Sequence, residues 1–256
     1  LFGVYDLMAT LVPVDDTLCD WHKIPVKIVG QPMADKYSHV NDQQKEKLIL
    51  SDLLQDRQKK YAPSRPLLAC LPGSRGGEIK FIGPVFWESI ALCCQSIKNI
   101  QVIVPAANSR CREQIEGQLK QYPSLPITIV DGLSHEVMAA SDAVLLASGT
   151  TALEAMLLKR PMVVAYKMAA LSYYIISTLL QTPYIALPNL LANKLLVPEL
   201  VQGDATVANI SSSILQAFAN QDKNTQEFTK LHQSIKRNAD MESAKTIHAL
   251  LTGDVI

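Results

Sequence analysis

The chain has 256 residues, enough for one large or two small domains. Hydrophobic residues make up 48% and charged residues 19%, a composition that excludes a globally disordered chain. Its 24 basic residues balance 24 acidic ones, so we expect no nucleic-acid partner, because non-specific binding needs clustered cations. The five cysteines form no C-x-x-C pair, which argues against a zinc site or a disulfide framework.

The front of the chain predicts a small α/β segment. Residues 6–12 and 26–29 are strand-like apolar runs, and residues 16–22 between them are typical of a helix. Residues 35–64 are polar and predict a helix followed by a linker. The sequence opens at Leu1 rather than at a methionine, so we expect either a removed leader or a fragment.

From residue 67 onward, apolar runs alternate with stretches of helical periodicity. The apolar runs are residues 67–71, 101–104, 127–130, 143–147 and 162–165. The helical stretches are residues 78–97, 110–121, 134–140 and 151–158. Five short strands separated by helices predict a parallel sheet covered by helices on both faces. Right-handed crossovers then give a Rossmann-like, doubly wound domain.

Residues 168–193 carry no charged side chain and are long enough to span a bilayer. Pro183 and Pro188 interrupt this stretch, so the helical pattern runs only over residues 168–180. We therefore expect a buried or interface-lying helix rather than a membrane span. After residue 204 the pattern is helical over 208–218 and then over 225–251.

The turn after the first of the five runs is a candidate phosphate site. It contains Gly73, Ser74 and Arg75, and two more glycines follow. Glycines let the backbone approach a ligand and leave amides unpaired ahead of a helix, where anions bind. Arg75 adds a fork of donors that suits phosphate oxygens. The alternative is an ordinary glycine-rich turn with a surface arginine.

The turn after the fourth run is a second candidate. Ser148, Gly149, Thr150 and Thr151 open a helix after residues 143–147. The amides of residues 149–151 suit a diphosphate, and Glu154, one helical turn further on, suits ribose hydroxyls. Together these groups favour a nucleotide. The alternative is a capping box made by Thr151 and Glu154, which needs no ligand.

Three further polar residues follow apolar segments. Asn189 lies inside an apolar stretch and is either a substrate contact or a turn-forming residue. His135 begins a helix after the third run and is either a contact to a base or a surface histidine. Asn108, after the second run, is a weaker candidate of the same kind.

The order of these segments resembles the lipid A disaccharide synthase family, which are glycosyltransferases of the GT-B type. The resemblance runs from about residue 26 to the C-terminal helix. It is carried by the segments LPGSRGGE (71–78), VDG (130–132), EVMAASDA (136–143), LLASGT (145–150), ALEAML (152–157), KRPMVV (159–164), LPNLLA (187–192) and LVPEL (196–200).

The resemblance implies an α/β fold of GT-B type. Residues 1–34 are then a remnant of the N-terminal acceptor domain, and residues 35–65 form a helix and linker. Residues 66–205 form the Rossmann-like UDP-sugar-binding domain, and residues 206–256 are C-terminal helices. The family's acceptor site and general-base candidate belong to the N-terminal domain. We therefore name no general base and expect this chain alone to bind UDP without transferring sugar.

The resemblance also implies a reaction and roles for residues. The family joins UDP-2,3-diacylglucosamine to 2,3-diacylglucosamine 1-phosphate by inverting transfer and releases UDP, with no cofactor or metal requirement carried over. By similarity, Arg75 contacts the UDP or acceptor phosphates and Asn189 lies near the transferred sugar; these are the expected catalytic residues. The family usually has arginine where His135 stands. The expected substrate-binding residues are Gly73, Ser74, Arg75, Asn108, His135, Ser148, Gly149, Thr150, Thr151, Glu154 and Asn189.

An acyl-chain substrate implies peripheral attachment to the inner face of the bacterial inner membrane, and a homodimer is a further expectation. Two alternatives stay open at this point. One is another UDP-sugar transferase or a UDP-sugar epimerase with the same architecture. The other is a non-catalytic fragment that binds UDP or serves oligomerisation.

Overall fold

The computed structural model describes residues 7–12, 25–38, 42–147, 149–169 and 183–252. Backbone contacts divide the chain into two units, one made of residues 1–40 and 227–256 and the other of residues 41–226. The helix predicted over residues 16–22, most of the helix predicted over 168–180, and Ser148 lie outside the described residues. Within the described ranges, no helix is both long and apolar enough to cross a membrane.

The helices and strands follow one another in a largely alternating order. They are β1 (Met8–Thr10), β2 (Val26–Ile28), α1 (Pro32–Lys36), α2 (Gln43–Asp56), β3 (Leu67–Leu71), α3 (Gly76–Ser96), β4 (Gln101–Ala106), α4 (Ser109–Leu119), β5 (Ile127–Asp131), α5 (Ser134–Ala140), β6 (Ala143–Leu146), α6 (Thr150–Leu157), β7 (Met162–Tyr166), α7 (Leu187–Ala192), β8 (Glu199–Val201), α8 (Val207–Ala219), α9 (Thr225–Ile235) and α10 (Ala239–Thr252).

The larger unit contains a six-stranded sheet in the order β5-β4-β3-β6-β7-β8. Every neighbouring pair is parallel, which confirms the predicted α/β architecture. The order reverses between β3 and β6, as in a doubly wound fold. The sequence pattern predicted five strands and missed β8, because three residues are too few to show an apolar run.

The core explains why the strands read as unbroken apolar runs. Leu68, Cys70 and Leu145 pack in one cluster with the buried face of α3. Their neighbours Leu67 and Ala69 are equally buried, and side chains alternate along a strand, so these two face the opposite side. The sheet is therefore buried on both faces, which is characteristic of parallel sheets between helical layers.

Helix α2 belongs to the sheet unit, because polar contacts join it to the amino end of the strands. Lys47 Nζ lies 2.8 Å from Asp142 Oδ1, and Gln43 Nε2 donates to the same oxygen at 2.9 Å. Asp142 Oδ2 accepts a hydrogen bond of 2.8 Å from the backbone of Leu67, where β3 begins. One carboxylate thus connects α2, β3 and the start of β6.

In the smaller unit, β1 and β2 form a two-stranded parallel sheet. The expectation of one helical run over residues 225–251 was wrong, because α9 ends at Ile235 and α10 begins at Ala239. Asn238 between them has a φ of +61°, outside the right-handed helical region. The carboxylate of Asp35 accepts from the amides of Asn238 (2.9 Å) and Ala239 (2.6 Å) and so caps α10.

Candidate functional site

The two candidate turns meet where the strand order reverses. Leu71 in β3 and Leu146 in β6 are register partners, and the N–H of Ala147 donates to the carbonyl of Leu71 at 3.0 Å. The turns that follow these strands therefore leave the same edge of the sheet side by side. In open parallel sheets this crevice, at the carboxyl ends of the strands, is where ligands bind.

A cavity of about 410 Å³, here called the switch-point cavity, opens at this edge. Its volume falls in the range that holds small molecules and cofactors. The lining comes from four strand ends. It consists of Leu71, Gly73, Ser74, Arg75, Glu78, Pro105, Ala106, Ala107, Gly132, Ser134, Gly149, Thr150 and Thr151. Six of the predicted site residues, three from each candidate turn, thus line one cavity.

The first turn is held by a carboxylate that the sequence analysis left without a role. Glu78 Oε2 accepts hydrogen bonds from the amides of Ser74 (3.0 Å) and Arg75 (3.3 Å), and Glu78 Oε1 lies 3.1 Å from the Arg75 guanidinium. The expectation of unpaired amides here was therefore wrong for these two groups. The reason is that an acid at the third helical position reaches back over the helix start.

Gly73 makes this arrangement possible. Its φ is +118°, and a Cβ at this position would overlap Glu78 Oε2. The Arg75 side chain, in contrast, is 83% exposed, so its pair with Glu78 is held only weakly. An anion that binds the first turn must displace Glu78, and Arg75 is free to move with it.

The second turn differs from the capping-box alternative. Helix α6 begins at Thr150, and Gly149 is its N-cap with a φ of +89°. Thr151 is already inside the helix, and the carboxylate of Glu154 pairs with His135, so the capping box is wrong. The first amides of a helix have no helical carbonyl partners, and they attract anions. Those of α6 open on the cavity.

Glu154 and His135 form a pair beside the cavity. His135 Nδ1 lies 3.1 Å from Glu154 Oε1, and their side chains are 41% and 16% exposed. The hydrogen bond to Glu154 is the main influence on His135 and raises its pKa above the ordinary value. Their chain neighbours Ser134 and Thr151 line the cavity. This arrangement places a carboxylate one helical turn away from the amides of the second turn.

Asn189 lies apart from these residues in its contacts. It is fully buried, and its Nδ2 donates to Val197 O and to Glu199 Oε2, each at 3.0 Å. Its Oδ1 accepts from the amides of Leu196 and Val197, each at 2.9 Å. All four hydrogen-bonding positions of the amide are used. A sugar contact would require one of these bonds to break, so we leave Asn189 out of the donor site proposed below.

Asn108 is also placed outside the switch-point cavity. Its Oδ1 accepts from the amide of Cys111 at 2.9 Å and caps the N-terminus of α4. It lines a neighbouring cleft together with Ser74 and Arg75.

Sequence reasoning missed several residues that shape this region. Glu78 was visible as an acid three residues into a helix after a glycine-rich turn, which is a capping pattern. Gly132, Ser134 and the residues 105–107 carried no chemical signal, because they enter the site only through the order of the strands.

The comparisons with known proteins bear on the whole chain. The model of a family described as lipid-A-disaccharide synthetase matches residues 1–251. The chain belongs to this family.

Among the matched members of the lipid-A-disaccharide synthetase family, the protein named lipid-A-disaccharide synthase from Hahella chejuensis is 43% identical over 249 residues. Those of the same name from Pseudomonas putida (strain F1) and Chromohalobacter salexigens are 39% and 40% identical. The matches cover 96% of this chain but only 61–63% of these relatives. The chain thus spans about three fifths of their length.

Solved structures confirm the predicted fold class. A UDP-GlcNAc 2-epimerase from Neisseria meningitidis, solved with UDP-GlcNAc bound, has a TM-score of 0.54 and 16% identity, and covers 92% of this chain and 58% of its own. A trehalose-6-phosphate synthase has a TM-score of 0.52 and 12% identity, and covers 98% of this chain and 60% of its own. At such identities the likeness shows the GT-B type of α/β fold alone.

Proposed function

We propose that this chain is the donor-binding part of a glycosyltransferase of lipid A biosynthesis. The reaction joins UDP-2,3-diacylglucosamine to 2,3-diacylglucosamine 1-phosphate and releases UDP. The observation that carries the proposal is the convergence of both predicted turns on one cavity at the reversal of the strand order. Membership in the lipid-A-disaccharide synthetase family supports the identity of the substrates.

The diphosphate of the donor is proposed to bind the second turn. The amides of Gly149, Thr150 and Thr151 lie at the start of α6, where the helix dipole favours negative charge. When the sugar leaves, negative charge develops on the departing diphosphate. Fixed amide donors and the Arg75 guanidinium stabilise that charge without reorganising, which lowers the barrier to transfer.

Glu154 is proposed to hold the ribose. One of its carboxylate oxygens accepts from His135, and a carboxylate has acceptor capacity for further donors such as ribose hydroxyls. The hydrogen bond to His135 fixes the orientation of the carboxylate. His135 therefore acts as a positioning residue at this site.

The donor also has to contend with Glu78. This carboxylate lines the same cavity, so a phosphate that approaches Ser74 meets a like charge. We propose that Glu78 turns away when the donor binds and that Arg75 passes from Glu78 to a phosphate oxygen. Gly73 and Ser74 then complete the donor site.

The remaining functions are assigned to parts of the relatives outside this match. We propose that residues 66–205 bind the UDP-sugar and that the general base comes from the further two fifths of the relatives' length. Because both substrates carry acyl chains, we propose peripheral attachment to the inner face of the inner membrane. Formation of a homodimer stays a prediction.

The test is a transfer assay with both lipid substrates. One reaction contains the 256-residue chain, and the other contains a chain extended at its N-terminus to the length of the relatives. Mass spectrometry should detect the disaccharide 1-phosphate and UDP only with the extended chain. Epimerised donor instead of disaccharide would favour the epimerase alternative, and turnover by the shorter chain would contradict the assignment of the missing base.

A further inference from the structure

A second opening lies beside the switch-point cavity and shares Ser74 and Arg75 with it. This cleft has a volume of about 620 Å³ and is here called the cationic cleft. It lies between the starts of α3 and α4. Its lining residues are Ser74, Arg75, Gly76, Gly77, Lys80, Asn108, Arg110, Cys111 and Gln114.

The charge of this cleft has one sign. Arg75, Lys80 and Arg110 contribute three cations, and the described lining residues include no acid. Among the described residues, no carboxylate lies within 4.0 Å of the charged nitrogens of Lys80 or Arg110. Glu78, which pairs with Arg75, lines the other cavity. In a chain of zero net charge, such a concentration favours an anionic ligand.

Hydrogen bonds between the two helix starts fix the shape of the cleft. Cys111 Sγ donates to the carbonyl of Ser74 at 3.3 Å, and Gln114 Nε2 donates to the carbonyl of Gly76 at 2.9 Å. These contacts hold α3 and α4 together where both helices begin. The positive ends of two helix dipoles therefore add to the three side-chain cations. A preformed set of donors of this kind reduces the ordering cost of binding.

The surface next to the cleft is partly apolar. Lys80 Nζ lies 5.7 Å from the centroid of the Phe81 ring, and Phe81 is 39% exposed. A ligand that carries a phosphate on an acylated sugar presents both a charge and an apolar part. The cleft and its border offer partners to both.

We propose that the cationic cleft binds the phosphomonoester of the acceptor, with Lys80 and Arg110 as its charged ligands. This inference rests on the proposed function, since it concerns the second substrate of that reaction. A phosphomonoester carries about −1.5 to −2 charges at pH 7 and three acceptor oxygens, which suits several cations better than one. Arg75, which lines both openings, then lies between the donor diphosphate and the acceptor phosphate.

The test is a titration followed by backbone amide NMR on the 256-residue chain saturated with UDP. Glucosamine 1-phosphate is the probe, with inorganic phosphate and glucosamine in separate arms. We expect the probe to shift the amides of Gly76, Gly77 and Arg110 while UDP stays bound. Glucosamine should leave these amides unshifted, and inorganic phosphate should shift them at higher concentration than the probe does.

Variants separate a site from general charge attraction. The double variant Lys80→Gln and Arg110→Gln should weaken the probe by about tenfold or more, since charge-assisted hydrogen bonds are lost, and should weaken UDP much less. The matched double variant Lys98→Gln and Lys120→Gln removes two exposed cations elsewhere on the same unit and should leave probe binding unchanged.

Three results would overturn the inference: displacement of UDP by the probe, equal weakening in both double variants, or no shift of the cleft amides. If UDP itself fails to bind, the proposed function fails. The probe titration without UDP then still reports on the cleft, so the two failures are distinguishable.

Discussion

Glu78 Oε2 accepts a hydrogen bond from the backbone N–H of Ser74 at 3.0 Å, inside the turn that the sequence marks as a phosphate site. The carboxylate occupies the position of an anion at the start of α3. A nucleotide diphosphate that enters the switch-point cavity therefore competes with a side chain of the protein. This relationship makes Glu78 a determinant of donor affinity as well as a helix cap.

Replacing Glu78 with glutamine should strengthen UDP binding by about fivefold, because removal of a like charge at contact distance is worth about 1 kcal/mol in a solvated site. Calorimetry at low and high salt measures this, and the gain should shrink at high salt. Glu113→Gln, an exposed acid on α4, is the control and should change the affinity little. Weaker binding to the Glu78 variant would show that the carboxylate assists the ligand.

Gly149 should tolerate alanine poorly for a reason that does not involve space. A Cβ there meets nothing within 4 Å, but its φ of +89° disfavours any L side chain. We expect Gly149→Ala to lower the free energy of unfolding by about 1–2 kcal/mol and to weaken UDP binding.

Gly77→Ala is the matched control for Gly149→Ala. Its Cβ also meets nothing within 4 Å, but Gly77 lies in the first turn of α3 without a positive φ. Alanine there should stabilise the protein by up to about 1 kcal/mol. Urea unfolding of the two variants measures the difference, and equal effects would contradict the assigned role of the backbone at Gly149.

The buried pair between Lys47 and Asp142 should be costly to break. Both side chains are 9% exposed, so Asp142→Asn leaves the Lys47 charge without its counter-ion in a buried place. We expect a loss of about 3–5 kcal/mol of unfolding free energy, measured by urea denaturation.

Asp131→Asn is the control for this pair, because Asp131 is 70% exposed beside Arg112. An exposed ion pair is worth at most about 1 kcal/mol. A similar loss in both variants would mean that burial does not set the cost.

The His135–Glu154 pair should give a pH-dependent contribution to stability. The hydrogen bond to Glu154 raises the pKa of His135 above its ordinary value of 6.5. The stabilisation is therefore fully present below pH 6.5 and is lost as the pH rises through the raised pKa.

NMR titration of the His135 ring tests this coupling. In Glu154→Gln, the pKa of His135 should fall, since its main partner loses its charge. Glu136→Gln should lower it less, because Glu136 acts only through a weaker Coulomb interaction. If the Glu136 variant shifts the titration more than the Glu154 variant, the hydrogen bond is not the dominant influence.

The central sheet could be predicted from the sequence because its strands are buried on both faces. Residues 67–71 and 143–147 are apolar throughout and are bounded by turn residues, which leaves little ambiguity. Their adjacency followed from the handedness of crossovers. The proposed nucleotide site was found for the same reason, since both glycine-containing turns follow such strands.

The rest depended on contacts between residues that are far apart in sequence. Asp35 caps a helix that begins more than 200 residues later, so no local pattern indicates the break before Ala239. Asn189 gave a polar signal in an apolar stretch, but its partners Val197 and Glu199 come from a strand too short to predict. The cationic cleft needed the packing of α3 against α4.

Calorimetric titration of the 256-residue chain with UDP tests the central claim most directly. We predict saturable binding at one site per chain, weakened about tenfold or more by either Arg75→Ala or Glu154→Gln, on the scale of a lost charge-assisted hydrogen bond. Arg65→Ala, an exposed arginine before β3, should bind as the unaltered chain does. No saturable binding, or binding that neither site variant weakens, would contradict the account and reduce both turns to ordinary helix starts.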